Sequence, residues 1–411
     1  MFGLLGRTLG HTYSPMIHSV LGNPQYTTFE VEPIDVQSFF QRPDLQGLNI
    51  TIPYKLDAMH ACDHLSDIAK AIGCVNTMVR QADGTWYGTN TDYDGFLATL
   101  SWSGIDVTGK HCVILGDGAS SQTVHLALDR LGANTITHIS RHTEPTYESI
   151  HHFHETTQII INCTPVGMYP HCPNQSIHLA PFKCLEGVID LVYNPHRTGI
   201  LLEAESLDIP HANGLIFLLA QAMAASALFL HRTYDESILS DLYKQFRQNQ
   251  ENIVLIGMPG SGKSTIGKAL ANLTGRTLVD IDHRITEEVG PISNYILTHG
   301  EPAFRAIESK IIEDIGKQTG LILSTGGGAV TIPENFAPLR QNGRIYEIYR
   351  PLEELDTTGR VLSSGGIVRL QQLYTERAPL YAKFRQVQVV NTGTPESVAQ
   401  RVLEDLHRNL V

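Results

Sequence analysis

Asn252-Ile-Val-Leu-Ile-Gly257-Met-Pro-Gly260-Ser261-Gly262-Lys263-Ser264-Thr265 joins an apolar strand to a glycine-rich turn and then to a helix-compatible run. The spacing G-x-x-x-x-G-K-[ST], between a strand and a helix, is that of a phosphate-binding loop. Gly257, Gly260 and Gly262 let backbone N–H groups close on phosphate oxygens, with Ser261 and Thr265 in the same arc. Lys263 brings positive charge to the β- and γ-phosphates, and the Ser264 hydroxyl can join a magnesium shell. The stretch predicts an α/β domain with a parallel sheet that binds ATP or GTP.

Working outward, the polar run YKQFRQNQEN (243–252) has no long aliphatic segment, and the main boundary is placed there, with 246–251 as a linker before a domain over 252–411. A chain of 411 residues that is 42% hydrophobic is too long for one core, so further domains are expected upstream. From Lys110 onward HCVILG (111–116), a helical run over 119–132, TITHIS (135–140), QIIINC (158–163) and GVIDLVY (187–193) alternate as βαβ units do. The first hundred residues read as a separate α/β unit, with strands at FGLLG, TTFEVEP and GLNITIP and a last helix at about 92–102. The whole chain is therefore expected to be α/β.

Lys+Arg 30 against Asp+Glu 42 gives a net charge of −12, which disfavours nucleic acid and acidic lipid as partners. Anionic small substrates then need pockets lined with Arg or Lys. The six cysteines follow neither metal-ligand nor disulfide spacing, so reduced thiols and a cytoplasmic location are expected. Met1-Phe-Gly-Leu-Leu-Gly-Arg7 lacks the pattern of a secretory leader. The apolar run Leu215–Leu230 has 16 residues and contains Gln221 and Ser226; it falls short of the roughly 20 that a membrane span needs and reads as a buried helix. His151, His152 and His154 have no carboxylate or cysteine partner at ligand spacing and read as a loop or helix end. Oligomeric state leaves no mark in the sequence.

Beyond the phosphate loop come Asp280 and Asp282 after a short strand, Gly300-Glu-Pro-Ala-Phe-Arg305-Ala-Ile-Glu308, Gly326-Gly327-Gly328 and Arg377-Ala-Pro-Leu-Tyr381. In this order they resemble shikimate kinase over nearly all of 252–411. The resemblance implies that Asp282 holds the substrate hydroxyl and assists its deprotonation, and that Asp280 supports magnesium. It further implies that Arg305 and Arg377 clamp the shikimate carboxylate, with Gly327 and Gly328 adding backbone donors. Arg360 stands where the family has a lid arginine, although Val361 replaces the usual proline after it. Asp280 is equally suited to capping the next helix.

In the first half, Gly116-Asp117-Gly118-Ala119-Ser120-Ser121 follows the strand HCVIL as a dinucleotide fingerprint without its third glycine. The next strand ends Ser140-Arg141, where an NAD-specific site carries an acidic residue; arginine there favours the 2′-phosphate of NADP. Gly10-His-Thr12-Tyr-Ser14-Pro15, Leu48-Asn49-Ile-Thr51-Ile-Pro-Tyr-Lys55, Val75-Asn76-Thr77, Gly88-Thr-Asn90-Thr91-Asp92, Asn162-Cys-Thr164-Pro-Val-Gly167-Met168 and Asn213-Gly214, leading to Gln221, resemble shikimate dehydrogenase over about 1–245. The resemblance implies a substrate domain from 1–100 plus 213–245, closing over a Rossmann NADP-binding domain at 101–212. Reduction of 3-dehydroshikimate needs a proton on the developing alkoxide, and Lys55 beside Asp92 is the expected donor. Thr12, Ser14, Asn49, Thr51, Asn76, Tyr193 and Gln221 are the expected substrate contacts, and Thr164 and Gly214 join the cofactor set. Thr12 replaces the family's usual first serine but keeps its hydroxyl.

The two resemblances name consecutive steps of one pathway, making shikimate and then shikimate 3-phosphate. A metabolite-sensing pseudoenzyme is the alternative of another class; it would lack Lys55, Asp92, Lys263 or Asp282, or add a basic DNA-binding segment. All four residues are present. A quinate-oxidising dehydrogenase using NAD is a closer rival, which Arg141 opposes.

Overall fold

In a computed structural model of the chain, residues 1–10, 12–235, 237–355 and 366–409 are described. They build two compact units, Met1–Tyr243 and Lys244–Val411, containing three sheets.

The first sheet takes β1 (Phe2–Gly6), β2 (Thr27–Glu30), β3 (Gly47–Ile50), β4 (His64–Leu65), β5 (Thr77–Arg80) and β6 (Trp86–Thr89) in the order β2-β1-β3-β5-β6-β4. Only β5 runs antiparallel to its neighbours. The strands expected at FGLLG, TTFEVEP and GLNITIP are β1, β2 and β3, and the helix expected at 92–102 runs Asp92–Ser103. β1 is buried on both faces: Leu5 clusters with Leu48 and Ile50, and Leu4 with Tyr26, Ala225 and Phe229. The last two residues belong to the helix Leu215–Leu230, whose apolar character is thus spent on packing. That helix lies against Asp92–Ser103 so closely that a Cβ at Gly95 would stand 2.7 Å from the carbonyl oxygen of Phe217. No helix among the described residues is long and apolar enough to cross a membrane.

The second sheet, β7 (His111–Leu115), β8 (Thr135–Ile139), β9 (Ile159–Asn162), β10 (Gly187–Asp190) and β11 (His211–Ala212), is parallel throughout in the order β11-β10-β9-β7-β8. Cys112 and Ile114 face one core, Val113 and Leu115 the other. A strand covered on both faces has no polar side, which is why β7 reads as an unbroken apolar run.

The second unit repeats this logic with β12 (Asn252–Ile256), β13 (Leu278–Asp280), β14 (Ile322–Ser324), β15 (Gly343–Tyr349) and β16 (Val387–Val390), parallel in the order β13-β14-β12-β15-β16. Val254 and Ile256 of the central strand enter one cluster, Ile253 and Leu255 the other.

The expected linker takes a different form. The helix Ser237–Gln250 runs across the division between the units, and 246–250 form its C-terminal end. Phe246 is buried, and Arg247 Nη2 pairs with Glu251 Oε2 at 2.9 Å in a nearly solvent-free setting. Arg276 donates to the carbonyl oxygens of Gln248 and Glu251. The polar residues that make the run look like a tether are holding it in the second unit.

Candidate functional site

In the first unit, Lys55 opens the helix Lys55–Ala61 shortly after β3, Asn76 immediately precedes β5, and Asp92 opens the helix that follows β6. Because β3, β5 and β6 are neighbours, these three positions converge at one edge of the sheet. Lys55 Nζ lies 2.6 Å from Asp92 Oδ2, and Asn76 Nδ2 donates to Asp92 Oδ1 at 2.8 Å. The Lys55 and Asp92 side chains are 14% and 9% exposed. Burial works against the charge on Lys55, but the charge of Asp92 and its hydrogen bond outweigh it, so the lysine pKa lies above its ordinary value. The amine therefore carries its proton at neutral pH and suits a proton donor.

A buried chain of hydrogen bonds fixes this pair. Asn76 Oδ1 accepts from Thr91 N at 2.7 Å and from Thr77 Oγ1 at 2.9 Å. Thr77 Oγ1 accepts from Asn49 Nδ2 at 3.1 Å, and Asn49 Oδ1 accepts from Tyr26 O–H at 2.7 Å. Asn90 Oδ1 accepts from Asp92 N at 3.1 Å. Tyr26, Thr77 and Thr91 were not expected as site residues; Thr77 and Thr91 lie within quoted motifs, but Tyr26 has no motif around it. Thr12 Oγ1 donates to Ser14 Oγ at 3.1 Å, and the rings of Tyr13 and Tyr193 stand 5.6 Å apart, so Tyr193 is brought to the Thr12–Ser14 turn. Thr51 packs against Gly6 at the end of β1, and Gln221 faces Gly95, one turn beyond Asp92. Gln221 Nε2 is turned onto its own helix, donating to Leu218 O at 2.9 Å.

At the end of β7, Gly116 has φ +112°, and Thr164 stands against it. Asp117 and Gly118 are exposed, Gly118 caps the helix Ala119–Arg130, and Ser120 lies in its first turn. At the place of the missing third glycine, Ser121 is fully buried and its hydroxyl donates to Gly118 O at 2.6 Å. A small side chain bonded back into the loop thus fits there. Ser140 Oγ accepts from the backbone N–H of His142 and Thr143 at 3.1 and 3.0 Å, which shapes the turn carrying the exposed Arg141. Thr164 donates to Asn162 Oδ1 at 2.7 Å. Gly214 lies against Leu191, where any side chain would meet the Leu191 carbonyl. A glycine loop at a helix N-terminus is an arrangement that binds phosphate, and Arg141 adds an exposed cation at the end of the neighbouring strand.

In the second unit a cavity of about 180 Å³ is lined by Gly260, Lys263, Ser264, Asp280, Asp282 and Arg350, among others. Gly257, Gly260 and Gly262 have φ of +140°, +81° and +97°, and the helix Lys263–Thr274 starts directly after them, with Thr265 in its first turn. Lys263 Nζ donates to the carbonyls of Gly257 and Met258 at 2.9 and 3.0 Å. Ser261, within the loop, is fully buried. Ser264 Oγ donates to Asp280 Oδ2 at 2.6 Å, and Asp280 Oδ1 also accepts from His283 N, so it caps the next helix as well. This hydroxyl and carboxylate are hard oxygen donors of the kind magnesium takes.

Arg305 is nearly buried and paired with Glu308 Oε2 at 2.6 Å and Glu301 Oε1 at 2.9 Å. A Cβ at Gly328 would stand 2.1 Å from Arg305 Nη2, and one at Gly326 2.5 Å from Glu308 Oε1 and 2.9 Å from Asp282 Oδ1. The glycines thus let the loop press against the arginine and both carboxylates. Arg377 Nη1 and the Tyr381 hydroxyl both donate to Gly327 O. Burial raises the Glu308 pKa, with the charge of Arg305 and its hydrogen bond pulling the other way. The structure thus gathers Asp282, Arg305, Gly327, Gly328 and Arg377 around one loop. Glu308 has a closer part than its place in a motif implied, and Arg350 was not foreseen. Arg360 lies outside the described residues.

Residues 259–407 match the family model for shikimate kinase, and residues 4–78 that for the shikimate dehydrogenase substrate binding domain. A shikimate dehydrogenase (NADP(+)) of Clostridium perfringens is 31% identical over 267 residues, covering 60% of this chain and 98% of the relative. A shikimate kinase of Nitrosomonas europaea is 39% identical over 168 residues, covering 38% of this chain and 79% of the relative. The crystal structure of shikimate dehydrogenase 1 from Peptoclostridium difficile superposes with a TM-score of 0.55 at 31% identity, covering 60% of this chain and 97% of that one.

Proposed function

We propose, since this chain belongs to the shikimate dehydrogenase family over its N-terminal 60% and to the shikimate kinase family over 259–407, that it makes shikimate from 3-dehydroshikimate with NADPH and then phosphorylates it with MgATP. The chain is a bifunctional shikimate-pathway enzyme with both activities. The observation that carries the finer reading is that one chain holds both the Lys55–Asp92–Asn76 cluster and the cavity joining Lys263, Ser264, Asp280 and Asp282.

NADPH supplies a hydride to the ketone carbon when bound. Lys55 Nζ gives its proton to the carbonyl oxygen as charge develops there, Asp92 keeps the ammonium in place, and Asn76 keeps Asp92 in place. Thr12, Ser14, Asn49, Thr51, Tyr193 and Gln221 hold the substrate's carboxylate and hydroxyls with neutral groups. Arg141 would hold the 2′-phosphate, and Gly116 to Ser120, Ser140, Thr164 and Gly214 would hold the remainder of the dinucleotide.

In the second unit Asp282 takes the proton of the attacking hydroxyl, Arg305 and Arg377 clamp the carboxylate, and Lys263 offsets phosphate charge. Ser264 and Asp280 would hold magnesium, which would supply positive charge beside the phosphates. Arg360 serves as the lid arginine. The domain limits proposed are 1–100 with 213–245 and 101–212, with the kinase unit of 252–411 extended back over 246–251, in a cytoplasmic protein of reduced thiols. The test is a two-stage assay: NADPH loss on adding 3-dehydroshikimate, then formation of shikimate 3-phosphate on adding ATP. No turnover at either stage favours a sensing module.

A further inference from the structure

Arg350 lies in no motif, yet it lines the phosphate cavity with Lys263, Ser264, Asp280 and Asp282. It follows directly on β15, which pairs with the phosphate-loop strand β12 through Ile256 and Glu347. The two strands leave the sheet side by side: a Cβ on Gly257 would meet the carbonyl oxygen of Ile348 at 2.5 Å. Arg350 is thus delivered to the C-terminal edge of a parallel sheet, where ligands of such folds bind.

Charge gives the position its meaning. Among the described residues lining the cavity, Lys263 and Arg350 are the cations and Asp280 and Asp282 the carboxylates. Without Arg350 the lining would carry a net negative charge, in the place where a polyphosphate must sit. The Arg350 partner is weakly held: Nε lies 3.3 Å from Glu354 Oε2, with the two side chains 37% and 54% exposed. Such a pair contributes little to stability, so exchanging it for a phosphate costs little. A planar guanidinium at the mouth of the cavity can bond two oxygens of a transferring phosphoryl group at once.

We infer that Arg350 is a second nucleotide-facing cation of the kinase site: it leaves Glu354 for the terminal phosphate of ATP and stabilises charge there during transfer. This rests on the kinase reading above and is distinct from the lid role assigned to Arg360.

The test compares Arg350→Ala, Arg350→Lys and Glu354→Gln in the full chain. Arg350→Ala should lower the kinase kcat about 10- to 1,000-fold, below the largest effects of arginine fingers, with KM for shikimate unchanged and NADPH-dependent reduction intact as a control for folding. By calorimetry it should weaken binding of a non-hydrolysable ATP analogue more than binding of ADP. Arg350→Lys should recover part of both effects, and Glu354→Gln should leave kcat as in the wild type. Wild-type kcat in Arg350→Ala, equal losses for ATP analogue and ADP, or a Glu354→Gln defect matching Arg350→Ala would each overturn the inference while the kinase reading stands. A wild-type chain that transfers no phosphate from ATP to shikimate would overturn both.

Discussion

Replacing Arg305 should damage the second unit in two separable ways. Glu308 is fully buried, and its one hydrogen-bonded oxygen is held by Arg305 at 2.6 Å; its other oxygen, Oε1, has no hydrogen-bond partner. Arg305→Ala therefore strands a buried carboxylate, a change that costs about 3–5 kcal/mol. For a unit of this size that is roughly 6–20 °C in Tm. Burial already raises the Glu308 pKa against the opposing charge of Arg305, and without that charge it must rise further. A carboxyl whose folded pKa exceeds its unfolded one binds more protons when native, so stability falls as pH rises through that window. Arg305→Ala should be mildest in acid and worst at neutral pH. Adding Glu308→Gln should restore most of the stability at pH 7 and flatten the pH dependence, while KM for shikimate stays high because the carboxylate clamp is gone. Both tryptophans, Trp86 and Trp102, are in the first unit, so hydrogen exchange in β12 and β15 is the readout for the second. If the double variant is no more stable than the single one at pH 7, Arg305 does not neutralise Glu308; if it binds shikimate normally, Arg305 is no clamp.

Lys55→Ala should cut the reduction rate about 100- to 10,000-fold and spare the kinase; equal loss of both activities would indicate misfolding. Asp92→Asn removes the partner whose charge outweighs burial at Lys55, so the lysine should lose its proton at lower pH. The alkaline fall in the rate of 3-dehydroshikimate reduction should then move to lower pH, and an unmoved limb would exclude Lys55 as the donor. Arg141→Ala should raise KM for NADPH far more than for NADH, and an unchanged preference would remove the 2′-phosphate contact. Lys263→Ala should abolish phosphorylation with reduction intact.

Much of this was legible because local chemistry forced it. The phosphate loop needs glycines at positive φ beside a lysine, and strands covered on both faces need unbroken apolar runs, so Gly257–Ser264, β7 and β12 could be read directly. Tyr26 could not, since its tie to Asn49 comes only from packing β1 and β3 beside the turn that carries it. Arg350 escaped for the same reason: its place follows from β15 lying next to β12. The end of the helix Ser237–Gln250 is hidden by its polarity. Leu242 and Phe246, one turn apart and both buried, were the signal, and they were outvoted by the glutamines and asparagines around them.

That helix bears on how the gene can be divided. A fragment begun at Asn252, where the strand leading to the phosphate loop opens, would discard Arg247 and Glu251 and leave the Arg276 guanidinium without the two carbonyls it caps. The compact unit is larger than its signature: the catalytic alphabet starts at β12, but the foundation on which that strand rests is laid several residues earlier, in a segment whose letters spell a spacer. A separable kinase should therefore be expressed from Lys244, with the end of this helix kept.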